Sequence, residues 1–478
     1  MKRFAPRPFI WALLLLAGGS FYSPVFCQRP QPTEAQLNWH DQEFYLFFHF
    51  GPNTFTGKEW GHGDEKEEIF QPTQLDTDQW CRISKAAGAT GVIITAKHHD
   101  GFCLWPSKYS THTVAQSSWR NGQGDVLKEL AASCKKYDLK FGVYISPWDR
   151  NHPAYGTAAY NDVYINTMKE IFANYGPIWE LWWDGANGEG PNGKKQEYDF
   201  PKFEKTIRSI SPETVIFSDI GPDIRWVGNE RGIAGTTNWN TLDTAGFKRG
   251  HGAPHTDTLN SGNAFGSTWI PAECDVSIRP GWFYHKEEDS KVKSGEQLFD
   301  LYLKSVGRGA TLLLNVPPDD RGLIHANDSA ALMQFNQLRH RFGANLAQKG
   351  KVCVVGKKLS VNSPTLCDGD ARTGVDIVQP ANQTIDIAFT SPEKLNCIIL
   401  QEDISEGQSC AAFSIVLKDA QQNIIREIKG TTIGHKRILT FPAVEVAQVV
   451  LLIKDQHEVT RIGEISVHLI DENLVEKG

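Results

Sequence analysis

Short apolar segments typical of buried β-strands alternate with amphipathic helical segments between residues 39 and 320, and this alternation limits the possible folds more than any other feature. The predicted strands cover residues 44–50, 91–96, 140–146, 178–184, 214–219, 232–237, 267–273 and 310–316. Predicted helices lie between them at residues 77–87, 126–136, 159–174, 199–209 and 295–306. Eight strands with intervening helices predict an α/β fold, a TIM-like (β/α)8 barrel. A doubly wound open sheet is the alternative, but no Gly-rich phosphate loop follows the first strand.

The pattern changes after a predicted helix at residues 327–346. Short alternating strands then follow one another between turn residues, at 351–355, 383–389, 395–401, 411–417, 424–429, 438–441, 448–453 and 461–469. We therefore predict a catalytic barrel over residues 33–346 and a C-terminal all-β sandwich domain over residues 347–478. Such a sandwich could bind carbohydrate, or it could serve only as a packing partner for the barrel.

The N-terminus has the pattern of a signal peptide. Lys2, Arg3 and Arg7 precede an apolar segment at residues 9–17 that is too short to span a bilayer. We predict a signal peptide over residues 1–27, cleaved after Cys27, and a mature protein that is exported to the periplasm or secreted. A lipoprotein anchor on Cys27 is the rival interpretation. No other segment is long and apolar enough for a transmembrane helix.

Charge and cysteine content restrict the partners further. A net charge of −7 provides no basic stripe for phosphates, so we expect no nucleic-acid partner. Cleavage after Cys27 would leave eight of the nine cysteines. Some could pair in an oxidising compartment, but their scattered spacing is not that of a disulfide scaffold, and no cysteine–histidine cluster has zinc spacing.

One carboxylate stands at the end of the fourth predicted strand. The segment Trp182-Trp183-Asp184-Gly185 closes this strand, and the C-terminal ends of barrel strands carry the active site in this fold class. Two tryptophans beside an acid suggest a pocket for a ligand with apolar faces, such as a sugar ring. The alternative is that Asp184 only caps the following loop.

Further polar and aromatic residues follow the other predicted strands. The candidates are His49, Glu59, Trp60, His98, His99, Tyr144, Glu273 and Trp282. In a barrel these groups converge on one mouth, where imidazoles and carboxylates can bind hydroxyls while tryptophan packs on C–H faces. The set therefore indicates a binding site for a neutral sugar.

Hydrolysis of a glycoside requires two carboxyl groups with different roles. Asp184, close to backbone donors, is suited to stay ionised and attack the anomeric carbon. Glu273 follows Trp269, Ile270 and Pro271, so desolvation could raise its pKa and make it the proton donor. A separation of about 5 Å would give retention and a wider one inversion, which the sequence alone does not decide.

Two other classes of function stay open on the residues alone. A metal-dependent hydrolase could use His49, His98, His99, Asp100 and Asp184 as ligands. Adjacent His98 and His99 would point to opposite sides of a strand, however, and no HxH or HExxH arrangement occurs. A non-catalytic glycan-binding protein would keep the aromatic residues but would not need both acids.

Several strings together resemble the α-L-fucosidases of glycoside hydrolase family 29. They are His49-Phe50-Gly51, Glu59-Trp60, the segment 97–105 (KHHDGFCLW), Trp182-Trp183-Asp184-Gly185 and the segment 314–318 (LNVPP). The segments 400–404, 407–408 and 431–437 are similar to the β-sandwich usual in that family.

The resemblance implies a retaining exo-mechanism with Asp184 as the nucleophile and no cofactor or metal. It implies a fucose subsite lined by His49, Glu59, His98, His99, Tyr144 and Trp282, with Trp60 beside it. Segment 273–285 is similar to the subfamily that prefers 1,3/1,4 linkages, in which Glu273 would be the acid/base and branched Lewis-type glycans the substrates. The runner-up is the general subfamily, which acts on simple fucosides and α-1,2-linked fucose.

Overall fold

Eight parallel strands form a closed barrel in this computed structural model, which describes residues 29–251, 255–356, 360–378 and 383–475. The strands are β1 (Phe44–Phe48), β2 (Gly91–Lys97), β3 (Lys140–Ile145), β4 (Glu180–Trp182), β5 (Val215–Ser218), β6 (Ile224–Trp226), β7 (Ala272–Ser277) and β8 (Thr311–Asn315). Neighbours in the barrel are neighbours in sequence, and β1 pairs with both β2 and β8. The predicted TIM-like barrel is therefore confirmed.

Helices cover the barrel. They are α1 (Glu34–His40), α2 (Pro52–Thr56), α3 (Thr77–Ala86), α4 (Val126–Tyr137), α5 (Ala159–Tyr175), α6 (Phe200–Ile210), α7 (Thr256–Ser261), α8 (Gly295–Lys304) and α9 (Ala326–His340). Side chains cap the first turns of several helices: Asp76 accepts from the backbone N–H of Gln79 in α3, and Ser294 with Gln297 forms a capping box in α8. Local sequence thus fixes where these helices begin.

The period of two along each strand separates the barrel interior from the helix layer. In β1, Tyr45 and Phe47 point into the barrel, whereas Leu46 packs against the helices. In β4, Trp182 points inward and Leu181 outward. The inward column of β4 therefore leads directly to residue 184 at the C-terminal end.

Two predicted strands differ from the structure. Residues 232–237 form no strand; the sixth barrel strand is β6, which follows β5 after five residues without an intervening helix. Asp223 holds this short crossover, because its carboxylate accepts from the backbone N–H of Ile216 at 2.7 Å. The predicted strand 267–273 is divided at Pro271, which has no N–H for a sheet. Residues Thr268–Trp269 pair with Thr241–Leu242 in an antiparallel ribbon, and β7 begins at Ala272.

The C-terminal strands form an antiparallel β domain, as predicted. They are β9 (Gly350–Val355), β10 (Ser360–Asn362), β11 (Val375–Ile377), β12 (Thr384–Glu402), β13 (Cys410–Lys418), β14 (Ile424–Gly430), β15 (Arg437–Gln456) and β16 (Thr460–His468). The first part of β12 pairs with β9 and its last part with β16, across a register shift. This long strand thereby links β9 and β16 within one antiparallel sheet, and the apolar side chains of these strands form a core of their own.

The β domain contacts the barrel through buried polar groups. Gln408 accepts from the backbone N–H of Asn240 at 2.8 Å and donates to the carbonyl of Asn238 at 3.0 Å. Lys436 forms an ion pair with Glu43, the residue just before β1. The predicted signal peptide at residues 1–27 and the anchor site Cys27 lie outside the described residues. Among the helices of the described part of the chain, none is long and apolar enough to cross a membrane.

Candidate active site

A cavity of about 170 Å³ opens at the C-terminal ends of the barrel strands. Its lining residues are Phe47, His49, Glu59, Trp60, His98, His99, Tyr144, Trp182, Asp184, Ala186, Glu230, Asp275 and Trp282. All the site residues predicted from sequence are among them except Glu273. The cavity is smaller than the roughly 300–1,000 Å³ typical of sites for drug-sized ligands, so it suits a single small ring.

Asp184 is oriented by hydrogen bonds from two elements. The hydroxyl of Tyr144, which points inward from β3, donates to Oδ2 at 2.9 Å, and the backbone N–H of Ala186 donates to Oδ1 at 2.7 Å. The side chain remains 25% exposed toward the cavity. A Cβ at residue 185 would lie 2.0 Å from Oδ1 of Asp219, so the glycine after Asp184 allows a close approach that no other residue permits.

His99 presents a lone pair near Asp184. Its Nδ1 lies 2.8 Å from the hydroxyl oxygen of Ser146, and that hydroxyl donates to the carbonyl of Trp148 at 2.7 Å. Because the serine proton is already committed, Nδ1 of His99 is the donor, and Nε2, 3.7 Å from Asp184, is unprotonated. Burial lowers the pKa of His99 to about 4, which keeps the ring neutral.

His49 has the same arrangement at the end of β1. The amide nitrogen of Asn315 donates to Ser277 at 3.0 Å and to the carbonyl of Trp282 at 2.7 Å, so its oxygen is left to accept from Nδ1 of His49 at 2.9 Å. Burial lowers the pKa of His49 to about 3. The unprotonated Nε2 can therefore accept a hydrogen bond from a ligand hydroxyl.

His98 is also neutral, because burial and the neighbouring His99 hold its pKa well below the ordinary value. Three uncharged imidazoles in one cavity match hydroxyl groups better than they match a phosphate or carboxylate. Among the described residues, no group of three or more His, Cys, Asp or Glu side chains could hold a metal ion.

Aromatic rings form the apolar part of the cavity. Trp182 stacks on Phe217, with ring centroids 3.9 Å apart, and also contacts Phe47 at 5.5 Å. Trp282 lies 5.1 Å from the ring of His49, whereas Trp60 stands at the rim and is 55% exposed. The cavity thus has an apolar floor beneath a polar wall.

Glu59 fixes the loop that carries Trp282. Its carboxylate accepts from the backbone N–H of Trp282 at 2.7 Å and lies 2.5 Å from Nε2 of His285. A Cβ at residue 281 would lie 2.6 Å from the same carboxylate, so Gly281 allows the loop to pack against it. The Glu59 carboxylate therefore holds one wall of the cavity.

The structure does not bring Glu273 into the cavity, and the predicted position of this residue is corrected. Its carboxylate is fully buried within the barrel, where it accepts from Nε1 of Trp182 at 2.7 Å and from the hydroxyl of Tyr45. Asp275, the next inward residue of β7, lies about 7 Å farther along the strand and does line the cavity. Glu273 is therefore one layer too deep to touch a ligand.

Glu273 shares its buried position with a second carboxyl, Glu180 of β4. Burial and the negative charge of Glu273 hold the pKa of Glu180 well above the ordinary value, and among the described residues Oε1 of Glu180 is buried without a hydrogen-bond partner. A proton shared between the two carboxyl groups would satisfy both of them. The two acids are thus a structural pair beneath the cavity.

Two acidic residues that the sequence did not indicate complete the cavity. Glu230 lies in the loop after β6 and accepts from Nε1 of Trp282 at 3.2 Å. Desolvation raises its pKa, and the negative charges of Asp184 and Glu59 add to the shift. Asp275 accepts from Nε1 of Trp226 at 2.8 Å, and burial followed by Glu230 raises its pKa strongly.

Glu230 has the access that Glu273 lacks, since it is exposed at the rim. The site therefore contains an oriented carboxylate, Asp184, and a second carboxyl whose surroundings favour its protonated form. A fixed carboxylate beside a carboxyl group with a raised pKa supplies the two groups that glycoside hydrolysis requires, a nucleophile and a proton donor. The sequence could have indicated Glu230 if Ile224-Arg225-Trp226 had been predicted as a strand, because Glu230 lies in the loop that follows this segment.

Comparison with known proteins agrees with this chemistry. A family model described as alpha-L-fucosidase matches residues 28–343. Alpha-L-fucosidase 1 of Arabidopsis thaliana is 41% identical over 435 residues, which cover 89% of this chain and 85% of the plant protein. The chain belongs to the α-L-fucosidase family. The plasma alpha-L-fucosidase of Homo sapiens is a more distant relative, 27% identical over 269 residues, or 54% of this chain and 51% of the human protein.

Solved structures of glycoside hydrolase family 29 share the fold of this fucosidase-family protein along nearly its whole length. A family member from an unknown rumen bacterium superposes with a TM-score of 0.83 at 39% identity, over 93% of this chain and 78% of that one. A Ruminococcus gnavus fucosidase in complex with fucose gives a TM-score of 0.83 at 29% identity, over 94% and 96% of the two chains. The family and the enzyme class expected from the sequence motifs are therefore confirmed.

Proposed function

We propose that this protein is an exo-acting, retaining α-L-fucosidase that releases terminal α-1,3- or α-1,4-linked L-fucose from branched, Lewis-type glycans. The observation that carries the proposal is the small cavity at the barrel mouth. It combines the oriented Asp184 carboxylate, neutral imidazoles and an apolar floor in a chain of the α-L-fucosidase family. A Ruminococcus gnavus relative has been crystallised with fucose bound, which supports the same ligand here.

The chemistry of the cavity suits fucose in particular. Fucose is a 6-deoxy sugar, so its methyl group requires an apolar wall, which Trp182 and Phe47 provide. Its hydroxyls can donate to Nε2 of His49 and of His99, the two nitrogens left unprotonated by their partners. A cavity of about 170 Å³ accepts one ring, which favours the terminal residue of a chain.

The proposed reaction has two displacements at the anomeric carbon. Asp184 attacks that carbon while Glu230 protonates the departing glycosidic oxygen, so the C–O bond breaks as the bond to the Asp184 carboxylate forms. Glu230, now a carboxylate, then takes a proton from water, and the resulting nucleophile displaces Asp184 with net retention. The Tyr144 hydroxyl orients Asp184 and stabilises the carboxylate when it is released.

A second cavity supports a branched leaving group. Its volume is about 370 Å³, and it shares Asp184, Glu230 and Asp275 with the first cavity before widening toward Trp226 and Thr256. A glycan attached through the oxygen protonated by Glu230 would occupy this side. The resemblance of segment 273–285 to the 1,3/1,4-preferring subfamily favours the same substrates.

One parallel assay tests the activity and the linkage preference. The protein is incubated with a Lewis-type branched trisaccharide, 2′-fucosyllactose and an aryl fucoside, and free fucose is measured. We expect rapid release from the trisaccharide and slow release from the other two. Comparable rates on all three would favour the general subfamily, whereas no release, with binding retained, would favour a glycan-binding protein. Chelator should leave the rate unchanged.

We also propose that the protein is exported, because its first residues have the pattern of a signal peptide. Expression of the full chain in a Gram-negative bacterium, followed by fractionation and intact-mass measurement, tests this. Periplasmic protein lacking residues 1–27 is expected. Recovery of lipid-modified protein would favour the anchor on Cys27 instead.

A further inference from the structure

Two buried thiols face each other between the helices that flank β2. Cys81 of α3 and Cys134 of α4 have their Sγ atoms 3.8 Å apart, and both side chains are buried. A disulfide requires a sulfur–sulfur distance of about 2.05 Å, so the two atoms need to approach by about 1.8 Å. Rotation about the two χ1 angles moves the Sγ atoms and is the movement that the bond requires. We propose that Cys81 and Cys134 form a disulfide when the chain folds in an oxidising compartment.

Neighbouring polar contacts hold the two helices in the required position. The hydroxyls of Thr77 and Ser133 lie 2.8 Å apart, and Ser133 donates to Asp78 at 2.7 Å. Lys136 forms an ion pair with the same aspartate. These contacts hold α3 and α4 together next to the two thiols and do not depend on the disulfide. Forming the bond therefore requires little further loss of conformational freedom in the two helices.

The timing of the reaction follows from burial. Only a thiolate attacks a disulfide, and burial together with the neighbouring Cys81 holds the pKa of Cys134 well above the ordinary value. Burial therefore makes Cys134 a poor nucleophile in the closed core, so the bond forms while α3 and α4 are packing together and an oxidant still has access. Once closed, the same burial keeps reductants away from it.

The oxidant is a disulfide-bearing compound, either an oxidoreductase or oxidised glutathione. One cysteine thiolate attacks it to give a mixed disulfide and releases the first thiol. The second cysteine thiolate attacks the mixed disulfide, forms the Cys81–Cys134 bond and releases the second thiol. The two cysteines together lose two electrons and two protons, which the oxidant takes up. The bond closes a loop of 53 residues and so restricts the unfolded chain.

A peptide map made without reductant tests the proposal. The chain without the predicted signal peptide, residues 28–478, is produced in parallel in bacteria with an oxidising and with a reducing cytoplasm, so that it stays in the cytoplasm of both hosts. Soluble protein is denatured, alkylated and digested with trypsin. Peptides 67–82 and 129–135 contain one cysteine each. We expect them linked, two hydrogen atoms lighter than their sum, from the oxidising host and alkylated from the reducing host.

Two variants serve as controls. Cys81→Ser should return peptide 129–135 in its alkylated form from both hosts. Cys397→Ala removes another fully buried thiol, from the β domain, and should leave the link intact. The oxidised wild type should also melt several degrees above the reduced wild type, a difference that Cys81→Ser abolishes. Alkylated peptides from the oxidising host, or a link from either peptide to a different cysteine, would overturn the proposal.

Discussion

Replacing Glu230 by Gln removes the proposed proton donor while keeping the shape of the side chain and its hydrogen bond from Trp282. Its effect depends on how much the leaving group needs a proton. General acid catalysis contributes about 10²–10⁴-fold, or roughly 3–5 kcal/mol of barrier at 1.36 kcal/mol per decade. We expect a loss of that size in kcat/KM on a Lewis-type trisaccharide, whose sugar alkoxide is a poor leaving group.

The same variant should lose less than about tenfold in the glycosylation step on an aryl fucoside with an acidic phenol, because that leaving group departs without protonation. Azide should restore turnover of the accumulated fucosyl-enzyme and give α-fucosyl azide, since displacement of Asp184 inverts the intermediate once more.

Glu273→Gln is the matched control, because this residue has the same side chain and a raised pKa but lies beneath the cavity. Its losses should be the same on both substrates and should come with lower thermal stability. Initial rates over a series of phenol leaving groups measure the contrast. A steep dependence on phenol acidity in Glu273→Gln but not in Glu230→Gln would refute the assignment.

Three other substitutions test separate parts of the site. Asp184→Ala should reduce turnover by several orders of magnitude even on an aryl fucoside, and azide should give β-fucosyl azide, detected by NMR; turnover near the wild-type rate would exclude Asp184 as nucleophile. His49→Asn should reduce the pH dependence of unfolding. Because burial lowers the pKa of His49 from 6.5 to about 3, unfolding of the wild type takes up one proton at this residue between these pH values, which lowers the stability by about 1.4 kcal/mol per pH unit as the pH falls. Denaturant titrations of the variant should show the wild-type slope reduced by that amount. Gly185→Ala should impair activity because its Cβ would meet Asp219 at 2.0 Å; an unchanged kcat/KM would show that the loop relaxes freely.

Most of the barrel was predictable because its strands are continuous apolar segments of ordinary length. The sixth strand was not, for a reason visible at Arg225. This residue sits at the centre of a three-residue strand and is fully buried, with its guanidinium donating to the carbonyls of Leu259 at 2.8 Å and Trp239 at 3.0 Å. Those partners follow it in the chain by 34 and 14 residues. When the hydrogen-bond partners of a buried arginine are carbonyls far away in the sequence, no pattern in the neighbouring residues indicates its burial. The sequence therefore predicts this strand eight residues too late.

That error explains why Glu230 was missed. With β6 placed at residues 232–237, Glu230 falls before a strand, at the end of the barrel opposite to the active site. With β6 at Ile224–Trp226 it falls after the strand, at the mouth. The sequence indicates His49 and Asp184 as site residues because the strands that precede them are predicted at the correct positions.

The position of Glu273 shows that a raised pKa alone does not identify a proton donor. Burial raises the pKa of Glu273 and of Glu230, and apolar neighbours in the sequence suggested this effect for Glu273. A proton donor must also reach the glycosidic oxygen, and reach depends on which inward-facing layer of the barrel a residue occupies. One step of two residues along β7 separates the buried Glu273 from Asp275, which lines the cavity. The carboxylate of Glu273 instead accepts from Nε1 of Trp182, so it holds the apolar floor of the cavity in place from below. Position relative to the barrel register, an inner layer of β7 for Glu273 and the loop after β6 for Glu230, therefore decides between a supporting and a chemical role for two acids that both have a raised pKa.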